Sequence, residues 1–322
     1  MNPIYKPSKG NYRGRFAPSP TGPLHMGSMF TALASFLQAK SNNGSWLLRI
    51  DDIDTPRICS GASSAIMRTL ERHGLCWDEG VFFQRFETEA YYDALNLLDT
   101  SGWLYPCHCS RKELAILSSN ETERTVYPGI CRKANRSRVQ PHALRVLTKD
   151  AAVTLEDKLQ GSHCWDVEKE FGDFIVLRRD KIVSYHLATV IDDNRAGISE
   201  VMRGGDILES TPLQIYLQSL LGLPNHDYLH LPIVVDSQGK KLSKQNLAKA
   251  VNDREPSINL FNLLNLLNQC PPRYLYGAPP KEILEWGIQT WDVSKLSRLI
   301  TINETDQTRI NTNIHCFSKT HC

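Results

Sequence analysis

The sequence predicts an α/β protein: a Rossmann-type doubly wound parallel sheet, interrupted by an inserted module and followed by a short helical domain. Three observations carry this expectation. A strand-like run, "RGRF", passes through a Pro-Gly loop into an amphipathic helix and then a buried strand, "SWLLRI". Strand, loop, helix, strand opens a doubly wound sheet, whose ligands bind beyond the carboxyl ends of its strands. The alternation stops near Gly102 and resumes near His186, so 1–102 and 186–245 are expected to form one discontinuous catalytic unit around an insert at 103–185. After Gln245 only 77 residues remain, and 246–322 carries helical patterns such as "INLFNLLNLL".

The elements follow in order. From Leu24, apolar Met26, Met29, Phe30, Leu33, Phe36 and Leu37 recur at three- and four-residue steps, one face of a helix that stops at Asn43-Gly44. The second strand ends in carboxylates, "DDID". Helical patterns at 63–73 and 88–100 finish on Gly74 and Gly102, placed as C-terminal caps. In the insert, 145–185 favours short strands, with a hairpin in "FIVLRRDKIVSYHL" turning at Arg179-Asp180. "TVIDDNRAGISEVMRGGDIL" and a helix at 212–221 resume the α/β pattern, and "YLHLPIVVD" is a strand running into a lysine-rich loop. No internal repeat is visible, and the last dozen residues are expected to lack regular structure.

Composition excludes little but narrows the setting. A net charge of +2 neither demands nor forbids a nucleic-acid partner, because a local basic face is compatible with a balanced total. No run of about 18 apolar residues occurs, so no membrane span is expected. The polar first ten residues lack an apolar signal core, which predicts a cytoplasmic protein. Nine cysteines, an odd number at uneven spacing, point to reduced thiols rather than a disulfide framework. Only Cys107, Cys109 and Cys131 cluster.

Two loops carry the chemistry. In "PSPTGPLHMGS", Gly22 and Gly27 permit close backbone approach, and the helix that follows offers N–H groups and a positive dipole end to a phosphate. His25 can donate a hydrogen bond to a phosphoryl oxygen as charge develops. Taken alone, the same residues also describe a turn whose histidine only packs or caps. The second loop, Lys241-Leu242-Ser243-Lys244, follows an apolar strand and sets two lysines three residues apart. Ammonium groups on flexible stems suit a migrating triphosphate, although an isolated K-x-S-K is usually a solvated basic turn. No G-x-x-x-x-G-K-[ST] occurs, which closes the P-loop route to ATP.

Together the loops are more specific, and the chain resembles a class I aminoacyl-tRNA synthetase. His25-Met26-Gly27-Ser28 stands where that family has its "HIGH" loop, and Lys241-Leu242-Ser243-Lys244-Gln245 where it has "KMSKS". "RFAPSPTGPLHMG", "LLRIDDIDTPR", "SYHLATVIDD" and "VMRGGDIL" are similar to the glutamate-specific branch, over about residues 13–246. Its short form, which glutamylates queuosine in tRNA(Asp), is resembled in three features. The 77 residues after Gln245 are too few for the large helical anticodon-binding region of the standard enzyme. The second loop continues Lys-Gln-Asn, and Cys107-x-Cys109…Tyr127-Pro-Gly-x-x-Cys131 matches a zinc pattern.

The resemblance implies a ligase taking ATP with Mg2+, L-glutamate and tRNA(Asp) carrying queuosine, and working as a monomer with one structural Zn2+. It assigns His25, Lys241 and Lys244 to catalysis, with Gly27, Ser28 and Ser243 joining them around ATP. Arg15, Ala17 and Ser19, with Phe16 and Pro18 between them, would line the glutamate site together with Tyr185 and Arg203. Guanidinium groups at 15 and 203 can bind carboxylates bidentately, against the ordinary alternative of surface ion pairs. Asp51 stands where the family has glutamate to hold the substrate ammonium, and is one methylene shorter. For zinc, four tetrahedral ligands are needed: three cysteines, with His108 by proximity or Tyr127 by resemblance as the fourth. Buried thiols without metal are the alternative. The implied reaction forms glutamyl-adenylate without tRNA and then transfers glutamate to queuosine. A truncated ordinary glutamyl-tRNA(Glu) synthetase and a non-catalytic tRNA-binding paralogue are the competing readings.

Overall fold

A computed structural model describes residues 12–110, 112–114, 126–134, 137–242 and 249–303. Ser243, Lys244, Gln245 and the last dozen residues lie outside them. Strand β1 (Arg13–Phe16) leads through the Pro-Gly loop to α1 (Met26–Ser41), and β2 (Ser45–Ile50) returns parallel to β1, with Arg13 opposite Ser45. Helix α2 (Ala62–Arg72) precedes β3 (Phe82–Phe83), which adds in parallel beyond β2, and α3 (Thr88–Thr100) follows. Gly74 and Gly102 adopt φ of 73° and 78°, the left-handed geometry expected of the residues that stop α2 and α3.

Between 103 and 185 the pairing becomes antiparallel. Strands β4 (Leu104–Cys107) and β5 (Ala143–Val146) pair, β6 (Ala152–Asp157) and β7 (Gly161–Asp166) form a hairpin, and β8 (Ile175–Leu177) joins the other edge of β5. The expected hairpin at Arg179-Asp180 shrinks to one bridge, Leu177 to Val183. Its second arm is short because Ser184 accepts a hydrogen bond from Leu187 N, capping the helix Tyr185–Arg195. The local cap wins over strand extension.

Strand β9 (Glu200–Gly204) lies on the free side of β1: Ser199 N donates to Arg13 O at 2.9 Å, and Arg13 N donates to Ser199 Oγ at 2.9 Å. The helix Thr211–Leu220 leads to β10 (Asp227–Leu231), parallel to β9 with His230 opposite Arg203. The expected single strand "YLHLPIVVD" is broken at Pro232, which has no N–H to donate, so β11 (Ile233–Val235) starts a new pairing. Its parallel partner is β12 (Thr301–Asn303), so the chain beyond Gln245 is not all helical.

Helix α1 also departs from expectation. Of the eleven positions from Met29 to Ala39 all but Thr31 are buried, rather than one face alone. The sheet covers one side, while the helices Pro256–Leu266 and Pro280–Thr290 cover the other, contributing Leu260, Leu263, Leu264, Ile283 and Leu284 to the same core. Trp46 centres that core, stacked 6.3 Å from Phe16 and edge-on to Phe36 at 5.3 Å. Its buried indole N–H donates to Ser35 Oγ at 2.9 Å, which satisfies the one polar atom the packing would otherwise strand.

Candidate active site

Since β2 and β3 lie on one side of β1 and β9 and β10 on the other, the sheet switches direction between β1 and β9. A crevice is expected beyond the carboxyl ends of the strands there. A cavity of about 520 Å³ occupies that place. Its lining includes Arg15, Phe16, Ala17, Pro18 and Ser19 from the end of β1 and its loop, His25, Gly27 and Ser28 from the start of α1, Tyr185 from the helix after the insert, Arg203 from β9, and Lys241. All described residues expected around glutamate and ATP thus meet there, except Asp51.

His25 serves α1 and the cavity together. Its Nδ1 accepts from Ser28 N at 3.3 Å, so the proton of a neutral ring sits on Nε2. The capping alternative and the ligand-binding one therefore coincide. Gly27 explains why the two loops come so close. A Cβ there would stand 3.2 Å from His25 Nδ1 and 3.4 Å from Leu242 O, so a side chain would wedge the second loop away. Lys241 is ion-paired with Asp206, a partner that local sequence reading did not find.

The two arginines are held differently. Arg15, 5% exposed, donates through Nε and Nη2 to both oxygens of Asp193, at 3.0 and 3.2 Å. Asp193 also accepts from Arg49 Nη1 at 2.6 Å, and Arg49 Nε donates to Asp51 at 2.6 Å. Burial would raise Asp193, but Arg15 and Arg49 overcome it and hold the carboxyl far below the usual range. Arg203, 4% exposed, donates instead to neutral groups: Nε to His230 Nε2 at 3.0 Å, Nη1 to Gln214 Oε1 at 2.7 Å, and Nη2 to Thr211 Oγ1 at 2.8 Å. Neither guanidinium is a surface ion pair.

Asp51 stands beside the main cavity rather than in it. Its carboxylate is engaged by Arg49, burial pushes its pKa up, and it lines a neighbouring chamber rather than the main cavity. Asp51 N donates to Pro18 O at 3.0 Å, so β2 also fixes the first loop. That second chamber, about 450 Å³, shares Ser19, Thr21 and Tyr185 with the first and extends past Asp54, Arg57 and Arg178 to Tyr127 and Arg145.

At its far end stands the cysteine group. The sulfurs of Cys107, Cys109 and Cys131 lie within 4.8 Å of one another, Cys109 and Cys131 at 3.5 Å. Tyr127 Oη is 3.6 Å from the sulfurs of both Cys107 and Cys109. Ligands at about 2.3 Å on a tetrahedral ion stand roughly 3.7 Å apart, so this donor set fits a zinc-sized centre. His108 does not join it; its ring bonds Ser137 O at 2.8 Å. Arg145 Nε donates to Cys107 Sγ at 3.2 Å, with its guanidinium 3.7 Å over the Tyr127 ring. Burial would raise Cys131, yet hydrogen bonds from the His108 backbone, Tyr127 and the other thiols bring it to about 6, favouring thiolate.

Comparison with known proteins agrees with this architecture. The family model for tRNA synthetases class I (E and Q), catalytic domain, matches residues 11–279. The glutamyl-Q tRNA(Asp) synthetase of Methylococcus capsulatus is 47% identical over 286 residues, covering 88% of this chain and 93% of the relative. That of Synechococcus is 46% identical over 291 residues, covering 89% and 96%. Among solved structures, the glutamate-tRNA synthetase of Elizabethkingia anophelis superposes with a TM-score of 0.76 at 25% identity, over 91% of this chain and 68% of that one. A glutamate tRNA ligase from Elizabethkingia meningosepticum gives 0.77 at 24% identity, over 92% and 68%, a likeness of fold. Among the described residues no helix is long and apolar enough to cross a membrane. The chain belongs to the glutamyl-Q tRNA(Asp) synthetases, within the class I tRNA synthetases of the E and Q type.

Proposed function

We propose that this enzyme activates L-glutamate with Mg-ATP in the absence of tRNA and transfers it to the queuosine base in the anticodon of tRNA(Asp). The observation that carries the proposal is the pair of chambers meeting at Ser19, Thr21 and Tyr185. One holds the first signature loop, Lys241 and Leu242 of the second, and both arginines, and the other offers a separate approach for the acceptor. In the first step the α-carboxylate oxygen attacks the α-phosphorus, and the bond to pyrophosphate breaks. Arg15 and Arg203 bind the glutamate carboxylates, Phe16 to Ser19 and Tyr185 line the pocket, and Asp51 is the acid on its ammonium side, reached through a bridging water. His25 Nε2–H, the Gly27 N–H, the Ser28 hydroxyl, Lys241, Ser243 and Lys244 meet the charge that builds on the phosphates.

In the second step a hydroxyl oxygen of queuosine attacks the acyl carbon, losing its proton as AMP leaves. Cys107, Cys109, Cys131 and Tyr127 would hold a Zn2+ ion, which supplies structural cross-linking of the module at 103–185. We assign 1–102 with 186–245 to activation, 103–185 to the acceptor side, and 246–322 to supporting α1.

The test has two arms. Glutamate-dependent ATP–pyrophosphate exchange without tRNA should occur, and Lys244→Ala should slow it about a hundredfold. Labelled glutamate should then pass to tRNA(Asp) only when queuosine is present. Near-normal exchange in Lys244→Ala defeats the loop assignment. Transfer to tRNA(Glu) without queuosine defeats the acceptor, and tRNA binding without adenylate defeats catalysis altogether.

A further inference from the structure

Arg203 is aimed by a chain of groups that reaches back into the insert. Asp157 ends β6 and His230 sits in β10, and both side chains are fully buried. His230 Nδ1 lies 2.6 Å from Asp157 Oδ2, and His230 Nε2 lies 3.0 Å from Arg203 Nε. Thr211 Oγ1 closes the group, 2.8 Å from Arg203 Nη2 and 3.1 Å from His230 Nε2. The ring is stacked on Tyr228, 6.0 Å away and tilted by 6°, which fixes its plane.

The donor inventory allows one arrangement. Arg203 Nε–H can only donate, so His230 Nε2 must accept, and the ring proton sits on Nδ1 facing the carboxylate. Burial, helped by Arg203, brings His230 down to about 4, so the ring is neutral near neutrality. Asp157 has no freedom either: its Oδ1 accepts from the backbone N–H groups of Gln160 at 2.8 Å, Leu159 at 3.0 Å and His230 at 3.2 Å. Of the five guanidinium N–H groups, Nε–H and one on each terminal nitrogen are engaged. Two remain for the cavity that Arg203 lines.

We propose that Asp157 and His230 are positioning residues for amino-acid recognition, setting the ring tautomer that orients Arg203 toward the glutamate carboxylate. This rests on the assignment of Arg203 to glutamate in the preceding section. It makes the β6–β7 hairpin, part of the insert, a structural support of the pocket.

Asp157→Asn is nearly isosteric and discriminates sharply. The three backbone N–H groups demand an oxygen at the Oδ1 position, so the new amide must turn its NH2 toward His230 Nδ1. That nitrogen must then accept, the ring proton moves to Nε2, and it confronts Arg203 Nε–H. The same logic of a carboxylate holding a histidine tautomer operates in the Ser-His-Asp hydrolases.

The experiment reads two properties of the purified full chain. Nitrogen-15 NMR of the imidazole reports the tautomer, and glutamate-dependent ATP–pyrophosphate exchange reports KM for each substrate. In Asp157→Asn the His230 proton should move from Nδ1 to Nε2, with KM for glutamate at least tenfold higher and KM for ATP within twofold. Thr211→Val, which removes one neutral acceptor from Arg203 without touching the ring's acid, should raise KM for glutamate severalfold, and it serves if the first variant fails to fold. A ring that stays Nδ1-protonated in Asp157→Asn overturns the proposal. So does a changed tautomer with unchanged KM, or a Thr211→Val chain with parental KM. A parent chain with no glutamate-dependent exchange would instead overturn the functional reading, while the NMR result would still report on the tautomer.

Discussion

Replacing Asp193 by asparagine should be among the most damaging isosteric changes in the protein. Its carboxylate receives three charge-assisted hydrogen bonds, from Arg15 Nε at 3.0 Å, Arg15 Nη2 at 3.2 Å and Arg49 Nη1 at 2.6 Å. Asp193 and Arg15 have side-chain exposures of 3% and 5%, and Arg49 of 6%. With Asp192 protonated, the group Arg15, Arg49, Asp51 and Asp193 sums to zero charge. Asp193→Asn leaves it at plus one, still buried, and its amide NH2 faces an arginine donor. Removing one partner of a buried ion pair costs about 3–5 kcal/mol, because the other charge stays desolvated and uncompensated. At an m-value of about 3 kcal/mol per molar urea, the unfolding midpoint should fall by about 1–1.7 M.

Urea unfolding followed by far-ultraviolet circular dichroism measures this directly. Raising the salt concentration should recover little of the loss, since buried charges are poorly screened. Glu285→Ala supplies the contrast: its pair with Lys281 spans 3.8 Å between side chains exposed by 58% and 85%, and should show no measurable shift. A loss below about 1 kcal/mol for Asp193→Asn would refute the reasoning. It would mean that water, not Asp193, compensates the two guanidinium groups.

Asp192 should behave in the opposite sense. Burial pushes its carboxyl up to about 7, above the unfolded value of about 3.9, so the folded state holds the proton and the stability it confers fades as pH rises through 7. Asp192→Asn should therefore gain stability relative to the parent between pH 4 and 7 and level off above; a pH-independent difference in urea midpoints would exclude this. Cys131→Ser should abolish stoichiometric zinc in the purified protein and lower Tm, with activation of glutamate reduced far less than transfer to tRNA. Metal content by emission spectrometry checks it, and full zinc occupancy in the variant would remove Cys131 from the ligand set.

What the sequence made legible was local. The first loop could be read because Gly22, His25, Gly27 and Ser28 lie within seven positions of one another, and α2 and α3 because period and cap coincide in a short window. The partners that decide how the site works are remote: Asp193 is 178 residues from Arg15, and Asp157 is 73 from His230. No spacing rule links them, because only the sheet order brings β1, β9, β10 and the insert together. The burial of both sides of α1 is hidden for the same reason, since its second covering layer comes from helices more than 200 residues later. The place of Asp51 at a strand end is legible from the sequence, while its pairing with Arg49, two residues earlier, is not.

That distinction makes the two pocket arginines unequal, although the sequence presents them as a pair. Arg15 is bidentate to a carboxylate, so its charge is largely neutralised within the protein. Arg203 is held only by a neutral imidazole, an amide and a hydroxyl, and no ion pair of Arg203 occurs among the described residues. Asp157 is separated from it by the His230 ring. A buried guanidinium without an acid is costly to fold, and a substrate carboxylate is the group that can offset that cost when it binds. Under the proposed glutamate assignment, Arg203 is therefore the residue that supplies the attraction for a substrate carboxylate. Under the same assignment Arg15, fixed by Asp193, supplies shape and a hydrogen-bond edge rather than free charge.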